Sequence, residues 1–207
     1  MQVDFIFQIA VLIMSVVIHE VSHGYAASIL GDQTARYQGR LTLNPIKHLD
    51  FMGSFIVPSI AYFLGGFIFG WAKPVPYNPY NLKSGRWSEA IVAGAGPASN
   101  IVLAVLFGLL LRIGIASGVN WANPAFVQIM TMIVFINILL AIFNLVPIPP
   151  LDGSKLLFAL FPDKLFQIRG FFEKYGLILV LFFIFFLWQF ISPVIVLLFR
   201  LITGVSV

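Results

Sequence analysis

The chain has 207 residues, of which 60% are hydrophobic and only 10% are charged. Soluble domains carry about 25% charged residues, so this composition excludes an ordinary water-soluble domain and indicates several membrane helices of about 20 residues each. The absence of cysteine excludes disulfides and thiolate metal sites. The net charge of +4 comes without the basic stripe expected of a nucleic-acid-binding protein.

The first predicted element is a helix over about residues 5–30. Its apolar run leads directly into ionisable residues at His19, and no basic region precedes it. We therefore interpret this run as a retained membrane span instead of a cleaved signal peptide. Gly31 follows at the position where a glycine commonly ends a helix.

The next part of the chain has an irregular pattern. Residues 36–43 have the composition of a short strand pair with a glycine at the bend. Residues 51–69 are apolar but contain a proline and a glycine pair, which favours an element that dips into the membrane and returns. A simple crossing remains the alternative. Three prolines within residues 71–79 predict an extended path.

Two further spans are predicted at about residues 90–111 and 124–146. A polar stretch at 151–174 then precedes a last apolar run at 177–202, which is long for one crossing and contains a proline, so we expect it to be kinked or divided. The prediction is an all-α polytopic membrane protein of about four to six membrane segments. A short re-entrant or β-like element would lie between the first and second confident spans.

Basic residues predict the orientation of these spans. By the positive-inside rule, the segments rich in Lys and Arg face the cytoplasm. The intervening loop at 112–123 holds Arg112 as its one basic residue. Segment 31–50 joins the cytoplasmic side if residues 51–69 re-enter. The segments at 71–89 and 151–174, on the other side of the two spans, are the basic ones; they hold Lys73, Lys83, Arg86, Lys155, Lys164, Arg169 and Lys174.

Residues 19–23 read His-Glu-Val-Ser-His, the strongest chemical signal in the chain. On a helix, His19 and His23 share one face and can bind one metal ion. Glu20 is then close enough to take a proton from a water at that metal. The alternative is a polar surface patch satisfied by its neighbours. That alternative is weak, because the motif continues an apolar run where ionisable groups are costly.

A catalytic zinc site needs a third protein ligand. The candidates are Asp50, Glu89, Asp152 and, less favoured, His48. Asp152 is best placed, because it follows an apolar helix and a rigid proline-rich corner at 147–150. The alternative for Asp152 is an ordinary helix N-cap.

Three asparagines lie within the predicted spans. Amides in membrane helices usually form interhelical hydrogen bonds, and we favour that role for Asn100 and Asn137. For Asn144, eight residues before Asp152, a hydrogen bond to the substrate carbonyl or its developing oxyanion is an equal alternative.

The motif at 19–23, followed by Asn-Leu-Val-Pro-Ile-Pro-Pro-Leu-Asp-Gly at 144–153, resembles the site-2 protease family of intramembrane zinc metalloproteases. Segments 39–45, 70–76 and 95–100 resemble its compact bacterial branch, which lacks a PDZ domain. The resemblance implies that one Zn²⁺ ion per chain is held by His19, His23 and Asp152. It also implies that Glu20 is the catalytic acid/base and that Asn144 assists at the reacting carbonyl.

This resemblance gives the functional expectation. The chain is expected to form one domain over 1–207, with a catalytic core at about 5–170 and a membrane anchor at about 175–203. It would cut single-span or partly unwound membrane proteins in the bilayer, in the bacterial inner membrane, with the site toward the cytoplasm. The extended segments themselves suggest that either 36–43, with Arg40, Leu41 and Thr42, or 71–79 pairs with the unwound substrate as a strand edge, unless these are packed loops that seal the site.

Other functions remain open from the residues alone. Intramembrane ionisable groups also mark metal transport pathways. A catalytically inactive scaffold that binds membrane helices, or a hydrolase of a non-peptide bond, would also fit the apolar composition. The placement of Glu20 between two histidines favours hydrolysis over transport. The complete set of His19, Glu20, His23 and Asp152 speaks against an inactive scaffold. Only product analysis excludes a non-peptide substrate.

Overall fold

The structure, a computed structural model, describes residues 2–57, 60, 63, 72–83, 85–117 and 124–205. Regular structure within these residues is helical, as the composition predicts. The α-helices are α1 (Gln2–Ile29), α2 (Thr34–Tyr37), α3 (Ser88–Ala116), α4 (Pro124–Asn144), α5 (Asp152–Leu160), α6 (Pro162–Phe182) and α7 (Trp188–Thr203). The shorter turns are 3₁₀ at Pro45–His48, Pro79–Asn81 and Gly85–Trp87, and π-helical at Met52–Ile56 and Phe183–Leu187.

Four helical stretches are long and apolar enough to cross a membrane: Ile6–Ile29, Ser88–Ala116, Ala125–Asn144 and Ile168–Thr203. They confirm the prediction of a polytopic integral membrane protein. The last stretch has 36 residues and would be about 54 Å long, well beyond the roughly 30 Å of hydrocarbon. The π-helical turn Phe183–Leu187 divides it, in agreement with the expected interruption.

Helix α3 is central to the bundle and packs against α1, α4, α5 and α7. Without a hydrophobic driving force in lipid, such packing depends on close van der Waals contact. One fully buried core joins α3, α4 and α7 through Ala104, Val134, Ile138, Ile195 and Phe199.

The loop between α4 and α5 is fixed by a second buried cluster. Val146 and Leu151 of the loop pack against Val180 and Phe183. Gly176 of α6 lies so close to the backbone of Pro149 that a side chain there would collide with it. The start of α5 is therefore held in place from the side of α6.

The strand pair predicted at 36–43 is wrong. Residues Thr34–Tyr37 form a helical turn instead, because the Asp32 carboxylate accepts hydrogen bonds from the Thr34 N–H at 3.2 Å and the Thr34 hydroxyl at 2.6 Å. Gly39 does turn the chain, with φ of 62°. In segment 51–69, Phe51–Val57 is helical, and most of the remainder lies outside the described residues, including the proline and glycine pair that favoured re-entry.

Candidate metal centre

Two helices bring the predicted ligands together. His19 and His23 lie one turn apart on α1, and their rings meet edge to face with centroids 4.7 Å apart. Asp152 is the first residue of α5, and the N-cap position belongs to Leu151. Its Oδ2 lies 3.1 Å from His19 Nε2 and 3.2 Å from His23 Nε2. The N-cap alternative for Asp152 is therefore wrong.

These separations suit a small cation. Zinc ligands about 2.0–2.2 Å from a tetrahedral ion lie roughly 3.3–3.6 Å from one another. The three donor atoms all lie within 4.8 Å of each other, and the residues that carry them are at most 9% exposed. Among the described residues, no other group of three or more such side chains could hold a metal. The other candidate ligands, Asp50, Glu89 and His48, thus lie elsewhere.

The outer nitrogens of both imidazoles have acceptors. His19 Nδ1 donates to Asn100 Oδ1 at 2.6 Å, and His23 Nδ1 donates to the Val92 carbonyl at 2.7 Å. A proton fixed on Nδ1 leaves the Nε2 lone pair for a metal, the arrangement typical of histidine ligands. Both histidines are therefore oriented for coordination toward Asp152.

Asp152 supplies negative charge to the same point. Burial disfavours ionisation of this carboxyl group, but its hydrogen bonds and charge interactions with His19 and His23 outweigh that effect. They hold the pKa of the Asp152 carboxyl well below its usual range. A cation can take the place of the protons shared between the imidazoles and the carboxylate.

A buried polar chain supports His19 from behind. Asn100 Nδ2 donates to Asn137 Oδ1 at 2.7 Å, and Asn137 Nδ2 donates to Ser15 Oγ at 2.9 Å. Both asparagines are fully buried. The expected interhelical bonding of Asn137 is confirmed, and Asn100 also contacts a predicted metal ligand directly.

Comparison with known proteins identifies the family. The YwhC protein of Bacillus subtilis (strain 168), provisionally named a zinc metalloprotease, is 38% identical over 185 residues, which cover 88% of this chain and 78% of YwhC. The family model for peptidase family M50 matches residues 111–187. The chain belongs to peptidase family M50. This confirms the resemblance to site-2 proteases.

Other M50-like relatives are more distant or longer. Rip2 of Mycolicibacterium smegmatis is 37% identical over 151 residues, and the match covers 72% of this chain but 55% of Rip2. MJ0611 of Methanocaldococcus jannaschii is 31% identical over 161 residues, or 73% of this chain and 72% of MJ0611. Both are also provisionally named zinc metalloproteases. No solved structure matches the chain.

Three further predicted site residues of this M50 protein are each hydrogen-bonded to a backbone group. The half-buried Glu20 carboxylate accepts a hydrogen bond from the Val75 N–H. Asn144 is half-buried at the end of α4 and donates to the Leu140 carbonyl of its own helix. Arg40 is buried and donates to backbone carbonyls of residues 73 and 74.

Sequence reasoning missed two contacts of the metal centre. A Cβ atom on Gly96 would lie 2.5 Å from His23 Nε2 and 2.6 Å from His19 Cε1, so the histidine rings pack on the bare backbone of α3. The Val92 carbonyl is a backbone group, so its hydrogen bond to His23 could not be predicted from the type of residue at this position. Gly96 and Asn100 are four residues apart and share one helix face, which is the pattern that could have indicated a surface facing the histidines.

Proposed function

We propose that this M50 protein is a zinc metalloprotease that hydrolyses peptide bonds of membrane proteins within or beside the bilayer. The observation that carries the proposal is the convergence of His19 Nε2, His23 Nε2 and Asp152 Oδ2 on one buried point in a membrane protein. The donor set of two imidazoles and one carboxylate is typical of catalytic zinc.

The residues then have distinct roles. His19, His23 and Asp152 hold the zinc ion, which when bound supplies Lewis-acid activation of water and of the scissile carbonyl. Glu20 takes a proton from the attacking water and delivers it to the nitrogen of the leaving amine. Asn144 donates a hydrogen bond to the carbonyl oxygen as negative charge develops there.

The substrate is a single-span membrane protein that is locally unwound at the cut site, because a helix hides its peptide bonds. Leu41 and Thr42 contact this unwound segment, and the neighbouring Arg40, which is buried, donates to the backbone carbonyls of residues 73 and 74. The metal centre opens toward the cytoplasm, where water is available, and the host membrane is the bacterial inner membrane. The distribution of Lys and Arg supports this orientation.

A paired measurement tests the proposal: zinc content of the purified full chain, and cleavage of a designed single-span peptide in liposomes. Wild type, Glu20→Gln and the matched control Glu89→Gln are compared. We expect about one zinc ion per chain in all three and loss of cleavage by at least about a hundredfold in Glu20→Gln alone.

Two results would overturn it. If the wild-type protein binds no divalent metal, the proposed metal centre is contradicted. If the Glu20→Gln variant cleaves at the wild-type rate, the proposed acid/base role of Glu20 is contradicted. Zinc transport by Glu20→Gln, without cleavage by any variant, would instead favour a transporter.

A further inference from the structure

Residues 72–78, called the strap below, cross the protein in an extended path beside α1. Each described hydrogen bond from a backbone N–H of the strap goes to a different acceptor. The Lys73 N–H donates to the His48 carbonyl at 2.8 Å, and the Asn78 N–H donates to Asp32 Oδ2 at 2.8 Å. Between these two points, the Val75 N–H donates to Glu20 Oε2 at 2.8 Å. The strap therefore touches the predicted acid/base directly.

The sequence of the strap leaves one backbone N–H donor at its centre. Val75 stands between Pro74 and Pro76, and proline has no backbone N–H. The Val75 N–H is consequently the one amide proton that residues 74–76 can offer, and it goes to the Glu20 carboxylate. The flanking prolines also restrict the strap to extended conformations, so a neighbouring amide cannot slide into the same place.

Side-chain packing keeps the Val75 amide opposite Glu20. Val75 is 5% exposed. The side chains of Val75 and Leu41 lie against Gly24, where a Cβ atom would come within 2.8 Å of Val75 Cγ1 and 2.6 Å of Leu41 Cδ2. Gly24 is one helical turn after Glu20 and lies on nearly the same face of α1. The strap is thus pressed onto α1 beside the carboxylate that it contacts.

Arg40 anchors the strap from the other side. Arg40 is 7% exposed, and its guanidinium donates through one terminal nitrogen to the Lys73 carbonyl at 2.8 Å and the Pro74 carbonyl at 3.3 Å. Arginine stays charged at any physiological pH, and a buried cation needs such acceptors. These bonds fix the two peptide units that precede the Val75 amide.

We propose that the Val75 N–H is a positioning group for Glu20, and that Arg40 holds the strap so that this amide points at the carboxylate. The inference rests on the proposed function. One oxygen of Glu20 is fixed by a charge-assisted hydrogen bond, and the other is left to exchange the proton with water and the leaving amine. Arg40 acts through the strap, not on the substrate.

Two substitutions at Val75 distinguish the contribution of its backbone N–H from that of its side chain. Val75→Pro removes the N–H and keeps an apolar side chain in an extended path. Val75→Ala keeps the N–H and removes most of the side chain. We expect kcat of Val75→Pro on the designed single-span peptide to be about ten- to a hundredfold below that of Val75→Ala, with similar KM and zinc content.

An infrared measurement reports the contact without activity. The chain has three glutamates, Glu20, Glu89 and Glu173, so protein made with ¹³C-carboxyl glutamate carries three labelled carboxylates. The band lost in Glu20→Gln identifies Glu20. We expect this band to shift much more in Val75→Pro, which lacks the N–H, than in Val75→Ala, which loses only the packing of the side chain.

Arg40→Met provides a second variant if Val75→Pro does not fold. A loosened strap lowers kcat and shifts the Glu20 band, while KM and zinc content stay near wild-type values. A raised KM with an unchanged band would instead assign Arg40 to substrate binding and overturn its anchoring role.

The failure of the inference is distinct from the failure of the proposed function. Equal kcat values and equal Glu20 bands in Val75→Pro and Val75→Ala would overturn the inference, and wild-type cleavage would leave the function standing. A zinc-loaded wild type that cuts no peptide at any pH would count against the function. The infrared bands would still decide whether Val75 holds Glu20.

Discussion

At Gly96 the backbone of α3 touches both histidine rings, because a hydrogen is the largest substituent that fits there. We expect Gly96→Ala to push the two rings apart and to lower zinc affinity at least about tenfold. Titration of the purified protein with a zinc chelator measures this. Gly94→Ala is the matched control, since its Cβ would lie 3.8 Å from the nearest neighbouring atom, Leu156 Cδ2. Equal affinities in the two variants would contradict the close packing.

Asn100 fixes the orientation of the His19 ring through the Nδ1 hydrogen bond. We expect Asn100→Ala to reduce zinc affinity by about ten- to a hundredfold, as is usual when the outer partner of a histidine ligand is lost. Ser99→Ala is the control, because the Ser99 hydroxyl bonds only within its own helix among the described contacts. The same chelator titration compares them, and wild-type affinity in Asn100→Ala would show that packing alone orients His19.

Among the elements, α6 supports the metal centre without contributing a ligand. Gly176 faces the backbone of Pro149 in the loop that leads to Asp152. We expect Gly176→Ala to destabilise the protein by about 1–3 kcal/mol, the usual range for overpacking, and to weaken zinc retention. Thermal unfolding in detergent and zinc content after dialysis measure the two effects.

Gly170 on the same helix gives the matched control. A Cβ atom at Gly170 would meet no atom within 4 Å in the part of the chain that the structure describes. Gly170→Ala should therefore stabilise α6 slightly, by up to about 1 kcal/mol, because alanine is the better helix former. Similar unfolding temperatures for the two variants would mean that α6 does not press on the loop.

Asp32 ties the end of α1 to the end of the strap and the turn after it, since its buried carboxylate accepts bonds from Thr34, Asn78 and Asn81. Burial raises the pKa of this carboxyl group, but the hydrogen bonds outweigh it and leave the pKa below its usual value. A lowered folded-state pKa means stability that is present above the unfolded value of about 4 and is lost as pH falls through the folded value.

We therefore expect the difference in unfolding temperature between wild type and Asp32→Asn to be largest near neutral pH and to shrink as the pH falls below about 4. Thermal unfolding across this pH range measures it. A difference that stays constant with pH would show that the contribution of Asp32 does not depend on its charge.

At the scale of the whole molecule, the sequence predicted what depends on local pattern. Apolar runs of sufficient length located α1, α3 and α4, and the spacing of His19 and His23 predicted a shared helix face. The interpretation of residues 36–43 as strands failed at short range: Asp32 accepts hydrogen bonds from Thr34, two residues on, and a helical turn forms at Thr34–Tyr37. An Asp at this spacing is a local turn signal that could have been weighed. Contacts between distant elements were harder to predict. Gly96, Val92 and Val75 contribute through backbone positions, which side-chain motifs do not reveal.

The orientation of the molecule in the membrane is the last prediction, and the absence of cysteine makes it testable. Single cysteines at the exposed positions Tyr80, Ser117 and Phe161 are treated with a membrane-impermeant maleimide in intact cells. We expect labelling of Ser117→Cys from outside, and labelling of Tyr80→Cys and Phe161→Cys only after the membrane is opened.

The same labelling locates the metal centre. Asp32, just beyond α1, is bonded to Asn81, next to Tyr80, so the end of α1 that carries His23 must face the side on which Tyr80 is labelled. External labelling of Tyr80→Cys would place the opening of the site outside the cell and contradict the cytoplasmic orientation. Labelling of Ser117→Cys and Tyr80→Cys from one side would mean that α3 does not cross, despite its 29 apolar-rich residues.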